Sequence, residues 1–239
     1  MQTQIYVGLS SQLALRQQLD VLANNIANVN TVGFRGEAVL FDSHLEKTHD
    51  RQSVSYVVDK FSYTDRKAGA FRETGNPLDV AVRGEGWLQV QTGNGARLTR
   101  DGRLHLNPAG TLVNHAGYEV LGTGGAPIEI PEDAGTLQIM KDGTIGDGER
   151  VFGRIEIVQA ADEGALAHEA GGLYAGGGAV TPAEGIELMQ GTLELSNVNA
   201  VLAMTQLIDI SAAYQRAQTL VEGGDETARN AIRTIGRIE

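Results

Sequence analysis

The chain has no cysteine among its 239 residues. Disulfide bonds, thiolate metal sites and cysteine nucleophiles are therefore excluded. No apolar run approaches the roughly 18 residues that a transmembrane helix requires. The amino terminus lacks a basic start followed by an apolar block and a small-residue cleavage site, so an ordinary secretory signal peptide is not predicted.

Basic residues are also scarce, with 19 Lys and Arg against 30 Asp and Glu and a net charge of −11. Nucleic acid is not expected as a partner, because binding to phosphate requires a basic surface. No basic amphipathic segment suited to an anionic membrane is present either. Residues 36–186 hold 13 basic and 22 acidic residues, which assigns most of the negative charge to the middle of the chain.

Motifs of catalysis or cofactor binding are missing. The five histidines are dispersed and none belongs to an HExxH motif. The glycine-rich stretches RGEGW and GTGGAP lack the strand, helix and lysine context of a phosphate-binding loop. KDGTIGDGE does not have the spacing of a calcium-binding loop, and no GxSxG surrounds a serine. We therefore expect no catalytic residue, no metal site and no cofactor, and we predict that the protein is not an enzyme.

Residues 1–35 have the apolar periodicity of a helix. Counting in alternating steps of four and three from Met1 to Val29 gives nine positions, of which seven are apolar. This is a heptad-like stripe, typical of a helix that packs against another helix. Four asparagines accompany its second half although asparagine is a mediocre helix former, and Gly33 is predicted to end the helix in a left-handed conformation.

The last residues carry a longer stripe of the same kind. The 4-3 count from Ala200 to Ile238 gives twelve positions, of which eleven are apolar. We predict a second long helix over residues 187–239. An uninterrupted helix of about 50 residues would be on the order of 75 Å long, which exceeds the diameter of a small domain.

Short alternating segments and glycine turns occupy the middle of the chain. Leu78–Val82, Trp87–Gln91 and Arg97–Arg100 alternate as strands do, and Asp101-Gly102 and Asp142-Gly143 are predicted to form tight hairpin turns with positive φ. Residues 77–186 are therefore predicted to form an antiparallel β domain and residues 36–76 an extended linker. The expected fold class is α+β, with the two terminal helices paired as a coiled-coil-like hairpin and the β domain inserted between them.

Four stretches are similar to the signature segments of the bacterial flagellar basal-body rod and hook family. They are ANNIANVNTVGFR, TGNPLDVAVRGEGWLQVQ, LTRDGRL and ELSNVNAVLAMTQLIDISAAYQ. The amino-terminal stretch IYVGLSSQLALRQQLDVLANNIAN and the modest length resemble the proximal-rod members most. One departure is Trp87-Leu88, where relatives commonly have two aromatic residues. The resemblance covers both ends and the front of the β domain.

The resemblance implies a structural subunit of the proximal rod that polymerises through its terminal helices into the axial tube that transmits torque. Its partners would be other axial rod proteins, copies of itself and the flagellar type III export apparatus. The protein would lie in the basal body, in the periplasmic part of the rod, after export without a cleaved signal peptide. It would not insert into a membrane or bind nucleic acid.

In such a tube the asparagine amides would set the register between subunits, as buried polar residues do in coiled coils. The predicted subunit interface comprises residues of both terminal helices: Leu15, Leu19, Leu22, Asn24, Asn25, Ile26, Asn28, Asn30, Gly33, Phe34, Leu207, Ile210, Tyr214, Val221, Ile235 and Ile238.

Two alternatives remain open from the sequence. One is a distal-rod or hook paralogue of the same family. The other is a soluble β-domain enzyme or glycan-binding protein, which would be active as a dilute monomer.

Overall fold

The structure is a computed structural model that describes residues 2–47, 53–183 and 185–235. Within these residues the fold is α+β, with one long helix near each end of the chain and many short antiparallel strands between them. The chain divides into two compact units: unit 1 comprises residues 1–27, 37–63 and 199–239, and unit 2 comprises residues 28–36 and 64–198.

Unit 1 contains both long helices and a two-stranded sheet. Its elements are α1 (Gln2–Ala27), β1 (Glu37–Lys47), β2 (Ser53–Thr64, whose last residue belongs to unit 2) and α2 (Ala200–Ile235). The two helices contact each other, and α1 also contacts β1. Asn199 caps the start of α2, because its side-chain oxygen accepts a hydrogen bond from the Leu202 amide at 3.1 Å.

Unit 2 is built of short strands and one 3₁₀ turn at Glu163–Ala165. The strands are β3 (Phe71–Glu73), β4 (Val80–Arg83), β5 (Trp87–Thr92), β6 (Gly95–Thr99), β7 (Leu104–Leu106), β8 (Leu112–Asn114), β9 (Glu119–Val120), β10 (Gln138–Ile139), β11 (Thr144–Gly146), β12 (Val151–Arg154), β13 (Ile157–Ala160), β14 (Leu166–Glu169), β15 (Leu173–Gly176), β16 (Val180–Pro182), β17 (Glu187–Gln190) and β18 (Thr192–Glu194).

The largest sheet of unit 2 has the order β14-β15-β6-β5-β9-β8-β7, and β13 joins it by pairing with β5 and β16. Strand β5 contributes to two hydrophobic clusters, because successive side chains of a strand point to opposite faces. Leu88 and Val90 belong to the larger cluster, which also includes Ile145 and Leu188. Trp87 belongs to the smaller cluster, with Tyr174. Unit 2 therefore has a hydrophobic core of its own.

The carboxy-terminal helix begins later than predicted. Residues 187–194, expected to be helical, form β17 and β18 instead, which pair with β4 and β3. These residues pair with strands more than 100 residues earlier, and α2 begins at Ala200, where the counted apolar stripe also begins. Residues 36–76, expected to be an extended linker, contain β1, β2 and β3.

One of the two predicted hairpin turns is correct. Gly143 has φ +88° and lies between the paired strands β10 and β11. The turn at Asp101-Gly102 is wrong: β7 pairs with β8 rather than with β6, and Gly102 is not among the glycines with positive φ. Glycine is needed there for another reason, since a Cβ at residue 102 would overlap the Val80 carbonyl.

Candidate functional site

The apolar stripe of α2 is the covered side of that helix. Ala203 is buried, and Leu207, Ile210, Tyr214 and Val221 are half-buried. The helix α1 of the same unit lies close to this side, because a Cβ added to Gly8 would come within 2.6 Å of the Val221 Cγ2. Ile235 is the last residue of α2, and the structure does not describe its side chain; Ile238 lies outside the described residues.

The predicted apolar residues of α1, which are Leu15, Leu19, Leu22 and Ile26, are likewise half-buried. They lie on the side of α1 that also carries Gly8, since residues spaced by three and four share one face of a helix. The stripes of both helices are therefore at least partly covered within one chain.

The four asparagines have different surroundings. Asn25 is buried, and its side-chain amide forms two hydrogen bonds with the backbone of Glu37: its Nδ2 donates to the Glu37 carbonyl at 2.8 Å and its Oδ1 accepts from the Glu37 amide at 2.9 Å. Asn28 is half-buried and its Oδ1 accepts from the Thr31 hydroxyl. Asn24 and Asn30 are exposed. The buried amide of Asn25 thus attaches the start of β1 to α1.

Gly33 and Phe34 belong to unit 2. Gly33 has φ +68°, as predicted, and its amide donates to the Glu194 carbonyl at 2.8 Å. The ring of Phe34 is buried and meets the imidazole of His168 edge-on, with 5.2 Å between centroids. Its side chain is thus part of the interior of unit 2.

A buried ionic cluster lies beside these residues. The Glu194 carboxylate accepts from Arg100 at 3.1 Å and from Arg35 at 3.5 Å, and all three side chains are almost fully buried. Both guanidinium carbons lie 5.3 Å from the centroid of the Trp87 ring, a distance suited to a cation–π interaction. Arg100 donates further hydrogen bonds to the backbone carbonyls of residues 82 and 84.

Burial, with a smaller contribution from the nearby Arg35 charge, lowers the pKa of Arg100 to about 10, against the opposing effect of Glu194. The guanidinium therefore remains charged at neutral pH. The cluster was not predicted from the sequence, because its members are 65 or more positions apart along the chain. The only available signal was the presence of these residues within the segments GFR, LTRDG and LELSN.

Asn197 makes a second set of polar contacts in unit 2. Its Oδ1 accepts from the Gly36 amide at 2.8 Å, while its Nδ2 donates to the carbonyls of Asp65 and Lys67 at 3.2 and 2.9 Å. Together with Glu194 it joins three stretches of backbone: the one that follows α1, the one that precedes α2 and the one that follows β2. These residues are hydrogen-bonded to one another inside unit 2.

Both helices also carry exposed apolar residues that are separate from the covered stripes. On α1 these are Leu9 and Leu13. On α2 they are Val201, Leu202, Met204, Ile208 and Leu220. We call this set the outer apolar face. Val201, Met204 and Ile208 follow one another in steps of three and four and therefore share one side of α2, and a contiguous exposed apolar patch commonly binds another protein.

Other kinds of site find little support in the described part of the chain. It contains no group of three or more His, Cys, Asp or Glu side chains placed to hold a metal ion. Nor is any of its helices long and apolar enough to cross a membrane.

Three family models match successive parts of the chain. They are described as flagella basal body rod protein, at residues 5–35, flagellar hook protein FlgE/F/G D1 domain, at residues 81–146, and flagellar basal body rod FlgEFG protein C-terminal, at residues 189–234.

Full-length relatives agree with these matches. The flagellar basal-body rod protein FlgF of Caulobacter vibrioides is 38% identical and covers 100% of both chains. The FlgF protein of Rhizobium meliloti is 39% identical over 99% of both chains. The FlgG rod protein of Bacillus subtilis is 32% identical over 95% of this chain and 97% of its own. The chain therefore belongs to the flagellar basal-body rod protein family, and it is a structural rod protein of the FlgF type.

Proposed function

We propose that this protein is a subunit of the proximal rod and that it polymerises through its terminal helices, with copies of itself and with other rod proteins, into a tube that transmits torque. The observation that supports this proposal best is the outer apolar face. The stripes of α1 and α2 are partly covered within the chain, and the helices still expose large apolar side chains such as Leu13 and Ile208. A face of this kind on both helices favours lateral packing against further helices.

The polar contacts of unit 2 fit a subunit under mechanical load. The chain leaves α1 and enters α2 through backbone that Glu194 and Asn197 hold in place. Such cross-links resist separation of these segments better than nonpolar contacts, because each hydrogen bond fixes a direction as well as a distance. The backbone of residues 28–36 and 194–198 is thus held by polar contacts inside unit 2.

The proposal includes export through the flagellar type III apparatus and a final position in the periplasm. The absence of cysteine agrees with that route, because a chain that is exported before it folds needs no disulfide bond. The distal rod is the second candidate position, because FlgG proteins also align with nearly the whole chain.

Localisation within isolated basal bodies tests the proposal. An epitope inserted between Gly124 and Gly125 would lie in an exposed turn where nothing is within 4 Å of a Cβ at either residue. In a deletion strain complemented with the tagged chain, we expect gold label on the rod half nearer the inner membrane. Label on the outer half would place the protein in the distal rod, and absence of the chain from basal bodies would refute the proposal.

A further inference from the structure

Unit 1 contains a groove with acidic side chains beside an apolar floor. The groove has a volume of about 340 Å³ and is formed by α1, the start of β1 and α2. Its apolar lining residues are Val21, Leu22, Ala38, Val39 and Ile210. Its polar lining residues are Gln18, Asn25, Glu37, Gln206 and Asp209.

Glu37 and Asp209 are the two carboxylates of the groove. Neither Glu37 nor Asp209 forms an ion pair with any residue that the structure describes. Asp209 is exposed and Glu37 is half-buried. Two negative charges that have no ion-pair partner among the described residues, at a groove with an apolar floor, fit a long cationic side chain. Its methylene groups would pack on the floor while its head pairs with the acids.

The opposite side of α1 carries such a side chain. Leu9, Leu13, Arg16 and Asp20 are exposed and follow one another in steps of four and three, so they form one row. At about 100° per residue this row lies roughly opposite Gln18, Leu22 and Asn25, which line the groove. Arg16 likewise forms no ion pair among the described residues.

A row and a groove on opposite sides of one helix cannot meet within a single chain, but they can meet between copies. We infer that Arg16 of one copy inserts into the groove of the next copy, between Glu37 and Asp209, while Leu13 packs beside its apolar floor. The occupant of the groove is therefore the outer row of α1 from a second copy of this chain. The inference rests on the proposed function, because it supplies the contact through which neighbouring subunits of the rod would join.

The geometry of this contact decides the kind of assembly. It joins two different surfaces, so it is heterologous, and each added copy offers a new groove and a new row. Such a contact extends into an open helical array, whereas a contact between identical surfaces would stop at a dimer. Asp20 lies one turn beyond Arg16 and opposes a shift of register, because that shift would place a third carboxylate against the two acids.

Cysteine cross-linking tests the inference directly, since the natural chain has no cysteine. Full-length chains with Arg16→Cys and with Asp209→Cys would carry different tags, be co-expressed in the deletion strain and be oxidised in isolated basal bodies. We expect disulfide-linked dimers that contain one chain of each type. The doubly substituted chain should give a ladder of dimers, trimers and longer products. The matched control is Arg83→Cys with Asp209→Cys, because Arg83 is an exposed arginine of unit 2, and it should give no ladder.

Charge reversal gives a second, independent measurement. Arg16→Glu should reduce the amount of this chain in basal bodies by about tenfold or more, because the new carboxylate opposes the two like charges of Glu37 and Asp209. Asp209→Arg added to it should restore much of the loss, while Arg83→Glu should have no effect. The side chain of Glu37 is not used in the Asn25 contact, so Glu37→Arg is a further rescuing change.

These measurements distinguish failure of the proposed Arg16 contact from failure of the proposed rod function. If the natural chain enters basal bodies but only Arg16–Arg16 dimers or no cross-links form, and Asp209→Arg rescues nothing, the contact is wrong while the rod function stands. A disulfide from Arg16→Cys to a cysteine placed in another rod protein, in preference to Asp209→Cys, would also overturn it. If the natural chain is absent from basal bodies, the proposed function itself fails.

Discussion

Two buried polar side chains, those of Asn25 and Glu194, form hydrogen bonds with the backbone of other segments of the chain. Asn25 binds both polar backbone groups of Glu37 at the start of β1, and Glu194 accepts from the Gly69 amide at 3.2 Å in addition to its two arginines. A buried polar group that loses its hydrogen-bond partner destabilises the fold, because water cannot reach it to form a replacement hydrogen bond. These two residues are therefore where single substitutions should have the clearest effects.

Replacing Asn25 with leucine should loosen the start of β1. The substitution removes both hydrogen bonds to Glu37 and leaves partly buried backbone groups unpaired, at a cost of about 1–3 kcal/mol. Hydrogen exchange at the Glu37 amide should become faster, while the melting of unit 2 stays unchanged. Asn24→Leu is the matched control, because Asn24 is exposed. Equal protection of the Glu37 amide in both variants would contradict the prediction.

The structure shows which asparagines are suited to a test of the prediction that their amides set the register between subunits. A leucine at residue 25 would disturb its own subunit, so a loss of assembly would have two explanations. Asn24 and Asn30 are exposed and are the better positions for that experiment. The role of all four amides between subunits stays a prediction.

Replacing Glu194 with glutamine should destabilise unit 2 strongly. It removes the only carboxylate that pairs with the buried Arg35 and Arg100 among the described residues, and breaking a buried pair typically costs about 3–5 kcal/mol. Trp87, the single tryptophan, lies against both arginines and reports urea unfolding by its fluorescence. In the control variant Glu169→Gln, the lost partner of Arg97 is 41% exposed, and the cost should be no more than about 1 kcal/mol. Similar unfolding midpoints for the two variants would show that the cluster contributes little.

The helices were the most predictable elements, because a stripe of apolar residues with a 4-3 spacing depends only on local sequence. From Ala200 to Val221 the predicted positions are the covered ones, whereas Val201, Thr205 and Ile208 between them are exposed. The end of α1 was predicted less well. Gly33 adopts the expected positive φ, but the helix already ends at Ala27, and the Gly33 amide donates to the Glu194 carbonyl rather than capping α1.

Elements that depend on distant partners were less predictable. The strands at 187–194 and the conformation of Gly102 are set by pairing and packing against residues far away in the sequence. The same reason explains why the cluster of Arg35, Arg100 and Glu194 was missed. The exposed outer apolar face could not be separated from the covered stripes until the contacts of α1 and α2 were known.

The two helices of unit 1 approach each other closely at Gly8, so a larger residue there should disturb their packing. Alanine in place of a helical glycine normally stabilises the helix by about 0.5–1 kcal/mol. At residue 8 the new methyl group would lie 2.6 Å from the branched side chain of Val221, and such overpacking costs about 1–3 kcal/mol. Gly8→Ala should therefore lower the helical signal and melting temperature of unit 1.

Gly223→Ala is the control, because nothing lies within 4 Å of a Cβ at that residue of α2. It should raise helix stability slightly. Circular dichroism at 222 nm during heating, recorded for both variants, measures the difference. A stabilising effect at both positions would mean that α1 and α2 are not in close contact at Gly8.

The two compact units of the molecule are not continuous stretches of the chain. Unit 1 is assembled from three separated stretches, and unit 2 from two. The larger hydrophobic cluster and the buried ionic cluster are both composed of unit 2 residues, including Glu194 just before α2. Residues 28–36 and 64–198 thus contain the nonpolar core and the polar contacts that hold their own backbone.

Deletion of residues 200–239 should consequently separate folding of unit 2 from function. The truncated chain keeps Glu194 and Asn197, every strand from β3 to β18 and both clusters, so Trp87 fluorescence should show an unfolding transition close to that of the full chain. It loses α2 and with it the covered stripe, Asp209 and most of the outer apolar face. We expect a soluble chain that does not enter basal bodies and leaves a complemented deletion strain non-motile. Loss of the Trp87 transition would mean that α2 supports the fold of unit 2, and motile cells would mean that the rod assembles without the carboxy-terminal helix, so that its subunit contacts would have to lie in α1 or in unit 2.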